Sequence, residues 1–289
     1  MGVSDRFSNF LSNISLTSNQ MSDGSSKRES VCKILNDNYY NFVSGTANSR
    51  YVGSWDKMTR VRPPRDVDVM FSLPKSVYDR YQSRSGNKQS QLLQEIKGVL
   101  QNTYPSTFIK GHGPVVVVNF TSYAVEILPA FKLSNSGYYI PDTSDDGKYL
   151  TTDPDAEKKK LTDEGHEGNT RNLVRMLKCW QSECSVPMKS FWLELLAIDF
   201  LSTWEHADKS KVYYDWMVRD FLIYLVGKAS SFVIVPGTYE IIWIGDAWRS
   251  RAESARDRAK KATEYENSDP KYPSLALVEW RKIFGNYIS

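Results

Sequence analysis

Two aspartates in the run RDVDVMFSL and one glutamate in YAVEILPAF are the side chains best placed to do chemistry: Asp66, Asp68 and Glu126. Asp66 and Asp68 are two apart in a stretch that alternates as a half-buried strand does, so both carboxylates project from one face while Val67 and Val69 turn inward. Like charges held this close repel, and such a pair persists when a cation such as Mg²⁺ lies between them. Glu126 has the same setting between Val125 and Ile127. If the two strands are neighbours, three carboxylates converge. A trio of that kind can hold two Mg²⁺ ions, with Mn²⁺ serving as well: one activates an attacking hydroxyl, the other neutralises charge on a triphosphate and its leaving pyrophosphate. Taken alone, the Asp-Val-Asp tripeptide also describes the solvent face of an edge strand.

Gly53 and Ser54 stand just before a predicted helix, where backbone amides and a hydroxyl can receive an anion, although an ordinary strand-to-helix turn reads the same way. Lys178 shares a helical stripe with Arg171 and Arg175, beside an apolar face of Leu173, Val174, Leu177 and Trp180. That suits a cleft wall or a solvated helix face.

The elements that must position these residues fall into two kinds. Leu16 to Ser26 is polar and rich in Ser, Asn and Gly, which predicts a mobile connection before an amphipathic helix over about Lys27 to Val43. A short strand ending at Gly53, a helix around Trp55 to Arg60, the Asp66 strand, a helix over Gln89 to Gln101, and the strands PVVVVNF and YAVEILPAF follow. Ser134 to Asp153 reads as a loop. Beyond it the pattern is helical, starting with Asp153 as N-cap and Pro154 in the first turn. Further helices are expected from Asn169 or Thr170 to Glu183, over Met188 to Trp204, Tyr213 to Lys228 and Asp246 to Glu266, and at the end in WRKIFG, with a strand-like YEIIWIG between. The expected architecture is α+β and bilobal: residues 1–152 as an N-terminal helix plus mixed-sheet core, 153–289 as a helical lobe, with a cleft between them.

The combination GSWDKMTRVRPPRDVDVMF, VEILPAF, NLVRMLKCW, MKSFWLELLAI and YPSLALVEWRKIFG resembles the nucleotidyltransferases of the cGAS/DncV-like and oligoadenylate-synthase group, and more specifically the bacterial CD-NTases of CBASS antiphage systems. The resemblance covers nearly the whole chain. It implies a polymerase-β-like nucleotidyltransferase fold and template-independent synthesis of a cyclic oligonucleotide second messenger from nucleoside triphosphates, ATP among them. Residue by residue it implies that Asp66, Asp68 and Glu126 bind Mg²⁺. Gly53, Ser54, Lys178 and Ser190 would bind the donor nucleotide, and Phe191 would stack on its base, although Phe191 is equally suited to core packing. It further implies CBASS regulatory proteins as partners.

Bulk properties narrow the alternatives. The chain has 289 residues and a formal net charge of only +3, which gives no general attraction to a polyanion. Its cysteines are Cys32, Cys179 and Cys184, with no CxxC pair or His-rich cluster, so zinc-dependent DNA sensing is not expected. The start lacks the basic and apolar regions of a signal peptide and no apolar run is long enough for a membrane span, which together predict a cytoplasmic protein. His112, His166 and His206 are scattered and read as surface or structural residues. Competing functions are linear oligonucleotide synthesis, nucleotidyl transfer to RNA or protein, and a catalytically inactive scaffold; three retained, mutually repelling acids argue against the last.

Overall fold

The computed structural model describes residues 1–163 and 166–289. Helices α1 (Val3–Asn13) and α2 (Ser18–Tyr40) come first, then strand β1 (Ser49–Tyr51), the single-turn helix α3 (Gly53–Asp56) and strand β2 (Asp66–Ser72). Helices α4 (Lys75–Gln82) and α5 (Lys88–Thr103) lead to β3 (Phe108–His112), β4 (Val115–Asn119), β5 (Ala124–Lys132) and a hairpin of β6 (Tyr138–Asp142) and β7 (Lys148–Thr152). The remainder is α6 (Pro154–Asp163), α7 (Glu167–Glu183), α8 (Ser190–Leu201), α9 (Tyr214–Val226), α10 (Arg249–Asn267) and α11 (Pro273–Phe284), with the hairpin β8 (Ser231–Ile234) and β9 (Ile241–Gly245) before α10. Among the described residues no helix is long and apolar enough to cross a membrane.

The chain forms two compact units. The sheet unit comprises Leu16–Met58 and Pro64–Ala156, and the helical unit Met1–Ser15, Thr59–Pro63 and Glu157–Ser289. Helix α1 groups with the helical unit, where Phe7 packs edge-on against Trp280 at 5.4 Å and Phe10 lies 4.6 Å from Phe284. In the sheet unit a mixed sheet runs in the order β1-β2-β5-β4-β3, with β6 and β7 continuing from the end of β5. β2 and β5 are parallel; the other pairs are antiparallel. This is the α+β architecture expected from the sequence.

Two local expectations are corrected. Leu16 to Ser26 is helix from Ser18 onward, because Thr17 and Gln20 form a reciprocal capping box that satisfies the first backbone amides. Tertiary contact does the rest for this poor helix-former: Tyr123 donates to the Gln20 carbonyl, and Gly24 lies so close to Trp55 that an added Cβ would sit 2.6 Å from the indole. Ser134 to Asp153 holds the β6–β7 hairpin rather than a loop, turned by Asp145, Asp146 and Gly147, all at positive φ. Tyr139 and Tyr149 of the two strands pack 6.0 Å apart, an aromatic anchor that a period-2 reading misses because β7 is largely exposed. Asp153 does cap α6, accepting from the Ala156 amide at 3.0 Å.

Candidate active site

The alternation read from RDVDVMF is realised in β2: Val67 and Val69 are buried in the sheet unit's core, and Asp66 and Asp68 face the other way, half-buried. β5 repeats this with Val125 and Ile127 inward and Glu126 outward. Because β2 and β5 are neighbours, with Asp68 opposite Glu126 in register, the three acids share one face. Ligand oxygens from Asp66, Asp68 and Glu126 all lie within 4.8 Å of one another.

The electrostatics follow from this crowding. Burial pushes the Glu126 carboxyl above its ordinary pKa, the Asp66 charge pushes it further the same way, and Lys110 and His112 offset part of the rise. Hard oxygen donors in a half-buried cluster, with the Glu126 carboxyl held above its ordinary range, fit a hard divalent cation such as Mg²⁺, which would favour the ionised form of Glu126.

Local anchors hold the geometry. Trp55 of α3 donates its indole N–H to the Asp66 carbonyl at 2.8 Å and stacks on Tyr51 at 5.3 Å, fixing the start of β2. The Val52 amide donates to the Asp68 carbonyl at 3.1 Å. Gly53 sits at φ +55°, and a Cβ there would come within 2.6 Å of Asp68 Oδ2. The glycine therefore makes room for a carboxylate as well as opening the backbone beside Ser54. Sequence reasoning missed Trp55 and Gly24 as supports of the site; the spacing of an indole from an aspartate carbonyl leaves no periodic trace.

The remaining candidates belong to the helical unit. Lys178 Nζ donates to both the carbonyl and the hydroxyl of Thr59, each at 3.1 Å. Arg175, on the same stripe, is taken up by structure: it donates to the Leu11 carbonyl at 3.0 Å and to Ser15 Oγ, tying α1 to α7. Burial, and then the Arg60 charge, lower its pKa. Ser190 opens α8 and donates to Gln181 Oε1 at 2.6 Å. Phe191 is half-buried against the helical core.

A parallel strand pair carrying three convergent carboxylates, preceded by a Gly-Ser turn, defines a nucleotidyltransferase. Residues 1–164, more than half of the chain, match the model of the Second Messenger Oligonucleotide or Dinucleotide Synthetase domain. The chain belongs to that family, the bacterial CD-NTases. It is 24% identical over 277 residues to a probable cyclic nucleotide synthase of Bacillus cereus (strain VD146), with 81% of this chain and 80% of that protein covered. Among solved structures it resembles Escherichia coli MS115-1 CdnC, determined with a HORMA protein, at a TM-score of 0.69, 17% identity and coverage of 99% and 98%. It also resembles Vibrio cholerae DncV, a cyclic AMP-GMP synthase bound to the linear intermediate 5′ pppA(3′,5′)pG, at 0.67, 15% identity and coverage of 83% and 69%. These likenesses agree on the fold.

Proposed function

We propose that the protein is a template-independent synthase that joins nucleoside triphosphates, ATP among them, into a cyclic oligonucleotide second messenger. The observation that carries this reading is the convergence of Asp66, Asp68 and Glu126 oxygens within 4.8 Å. Two Mg²⁺ ions held there would sharpen the nucleophilicity of an acceptor hydroxyl and offset charge on the triphosphate. The chain's own residues supply the alignment. The carboxylates fix where the hydroxyl lies, Gly53 and Ser54 receive donor phosphate, Lys178 and Ser190 add a cation and a hydroxyl for the same triphosphate, and Phe191 offers a ring to the donor base. A second transfer within the linear product would close the ring. The CdnC structure with a HORMA protein supports a regulatory partner of that kind here, and the resemblance to the CD-NTases of CBASS systems supports an antiphage signalling role.

The test is incubation of the purified protein with labelled ATP, GTP, CTP and UTP in Mg²⁺ or Mn²⁺, followed by alkaline phosphatase and mass spectrometry. A phosphatase-resistant cyclic product that disappears with Asp66→Asn is expected. Label recovered on RNA or protein, or in a linear chain, would select a different transferase. No product with or without a HORMA partner would refute the reading.

A further inference from the structure

The hairpin of β8 and β9 inverts the usual pattern of a sheet with one face on the core. Its inward side is ordinary: Val233, Val235 and Ile244 are buried, and Trp248 donates its indole N–H to the Ile244 carbonyl at 2.9 Å. The outward residues of such a sheet are normally polar. Here they are Phe232 and Ile234 of β8 and Ile241 and Trp243 of β9, exposed by 45, 50, 56 and 68%. Register pairs Phe232 with Trp243 and Ile234 with Ile241, so the four form two apolar rows on one face, and the two rings meet edge-on at 5.5 Å. Tyr239, 78% exposed, stands in the turn. Across residues 231–245 the one charged side chain is Glu240.

Backbone hydrogen bonds fix this hairpin at both ends. The Val235 amide donates to the Glu240 carbonyl and the Tyr239 amide to the Val235 carbonyl, while the Ser230 amide donates to the Gly245 carbonyl, all at 2.9 Å. The apolar face is therefore preformed, and a partner seated on it has little to order. Its size narrows the choice of partner. With a large aromatic side chain presenting ~200 Å² when fully open, the five residues leave roughly 600 Å² of apolar surface uncovered, the top of the range for the largest patch on a monomer. Two such faces brought together bury about 1,200 Å², the lower bound for a stable, specific interface.

Charge narrows it further. A face without charge offers no sign for a charged partner to complement. A lipid surface favours a basic rim, whereas the residues bordering this face include Glu240 and Asp246 as well as Lys228 and Arg249. A second copy of the chain brings the same uncharged face, and a two-fold axis through the patch lets each apolar row of one hairpin meet a row of the other. We propose that the chain forms a homodimer through the outward faces of β8 and β9, stacked about 10 Å apart as packed sheets are, with Phe232 and Trp243 as the anchoring side chains. The inference is independent of the chemistry at Asp66, Asp68 and Glu126.

Sedimentation velocity of the full chain from about 1 to 100 μM tests it, with a concentration-dependent dimer expected for the wild type. Trp243→Glu should raise the dimer Kd at least about 30-fold, the loss of one interface hot spot. Ile234→Thr/Ile241→Thr keeps β-branched side chains that suit a strand, so the hairpin survives, and should weaken the dimer about tenfold. Val278→Glu, at a position of α11 that is 50% exposed and lies outside the hairpin, should leave the dimer intact. A wild type that stays monomeric at the highest concentration overturns the proposal. So does a dimer that survives both hairpin variants, or one that Val278→Glu dissociates as fully as Trp243→Glu. Monomeric wild type that pellets with phosphatidylcholine–phosphatidylglycerol vesicles, when Trp243→Glu does not, overturns it in favour of a lipid surface.

Discussion

Replacing Gly53 by alanine separates the geometry of the site from the stability of the fold. The added Cβ would lie 2.6 Å from Asp68 Oδ2 and 3.2 Å from its Cγ. The carboxylate must withdraw by about 0.8 Å to reach ordinary contact. Mg²⁺ demands oxygen ligands at about 2.0–2.1 Å in near-octahedral geometry, and a displacement of that size at a reacting centre costs about 100-fold. The backbone cost is smaller: a non-glycine residue at φ +55° gives up about 1 kcal/mol, a drop in melting temperature of roughly 2–4 °C. The assay is pyrophosphate release across a Mg²⁺ titration, for which we expect about 100-fold slower turnover and a higher half-saturating Mg²⁺ concentration. Gly245→Ala is the control, since Gly245 has φ +59° with nothing within 4 Å of the added Cβ; it should show the same thermal loss and keep its activity. If Gly53→Ala stays within threefold of wild type, or loses only nucleotide KM with its Mg²⁺ dependence intact, displacement of Asp68 is the wrong explanation.

Other expectations follow from the same contacts. Asp66→Asn should abolish synthesis while the metal-free protein melts no lower than wild type, because the Asp66 charge opposes ionisation of Glu126; a parallel fall in melting temperature would point to a structural role. Glu95 accepts two hydrogen bonds from Arg80, at 2.6 and 2.8 Å, and one each from Tyr81 and Tyr39; although burial raises its pKa, these donors hold it below the usual value of 4.5. Its stabilisation is therefore present above pH 4.5 and lost as pH falls through the lowered value, so Glu95→Gln should cost about 2 kcal/mol in urea unfolding at pH 7 and progressively less below pH 4. Trp280→Ala removes a fully buried indole between Phe7 and Phe284 and should cost about 3–5 kcal/mol, measured as denaturation of the helical unit.

The chemistry of the site was legible because strand alternation is a strong local signal: Asp66, Asp68 and Glu126 are outward residues between buried valines and isoleucines, and the register did the rest. The adjacency of β2 and β5 was not legible, since parallel strands more than fifty residues apart leave no pairing signal of their own. The β3 strand, with Lys110 and His112, went unread for a related reason. Its sequence FIKGH has one buried residue, Ile109, and a glycine, too little pattern to separate from the loop before it. The long α2 helix was shortened by its Ser-rich start, whose helicity depends on a capping box and on the Trp55 contact rather than on propensity.

What keeps three repelling acids together is a question of magnitudes. Two unit charges about 4 Å apart cost about 1 kcal/mol in water and about 4 kcal/mol near a protein surface. Behind the acids, Val67, Val69, Val125 and Ile127 are each at most 1% exposed, and burying one such side chain stabilises by about 1.5–3 kcal/mol. A slip of one residue between β2 and β5 would turn β2's inward side chains to the opposite face and lose the half of that stabilisation that Val67 and Val69 supply. It would also break the hydrogen bond from the Leu73 amide to the Ala130 carbonyl, 2.8 Å, at one end of the pair. Together the four contribute about 6–12 kcal/mol, more than three pairwise repulsions at the aqueous value and of the same order as three at the near-surface value, so the core behind the acids holds the register and a cation joining them relieves the repulsion that is left.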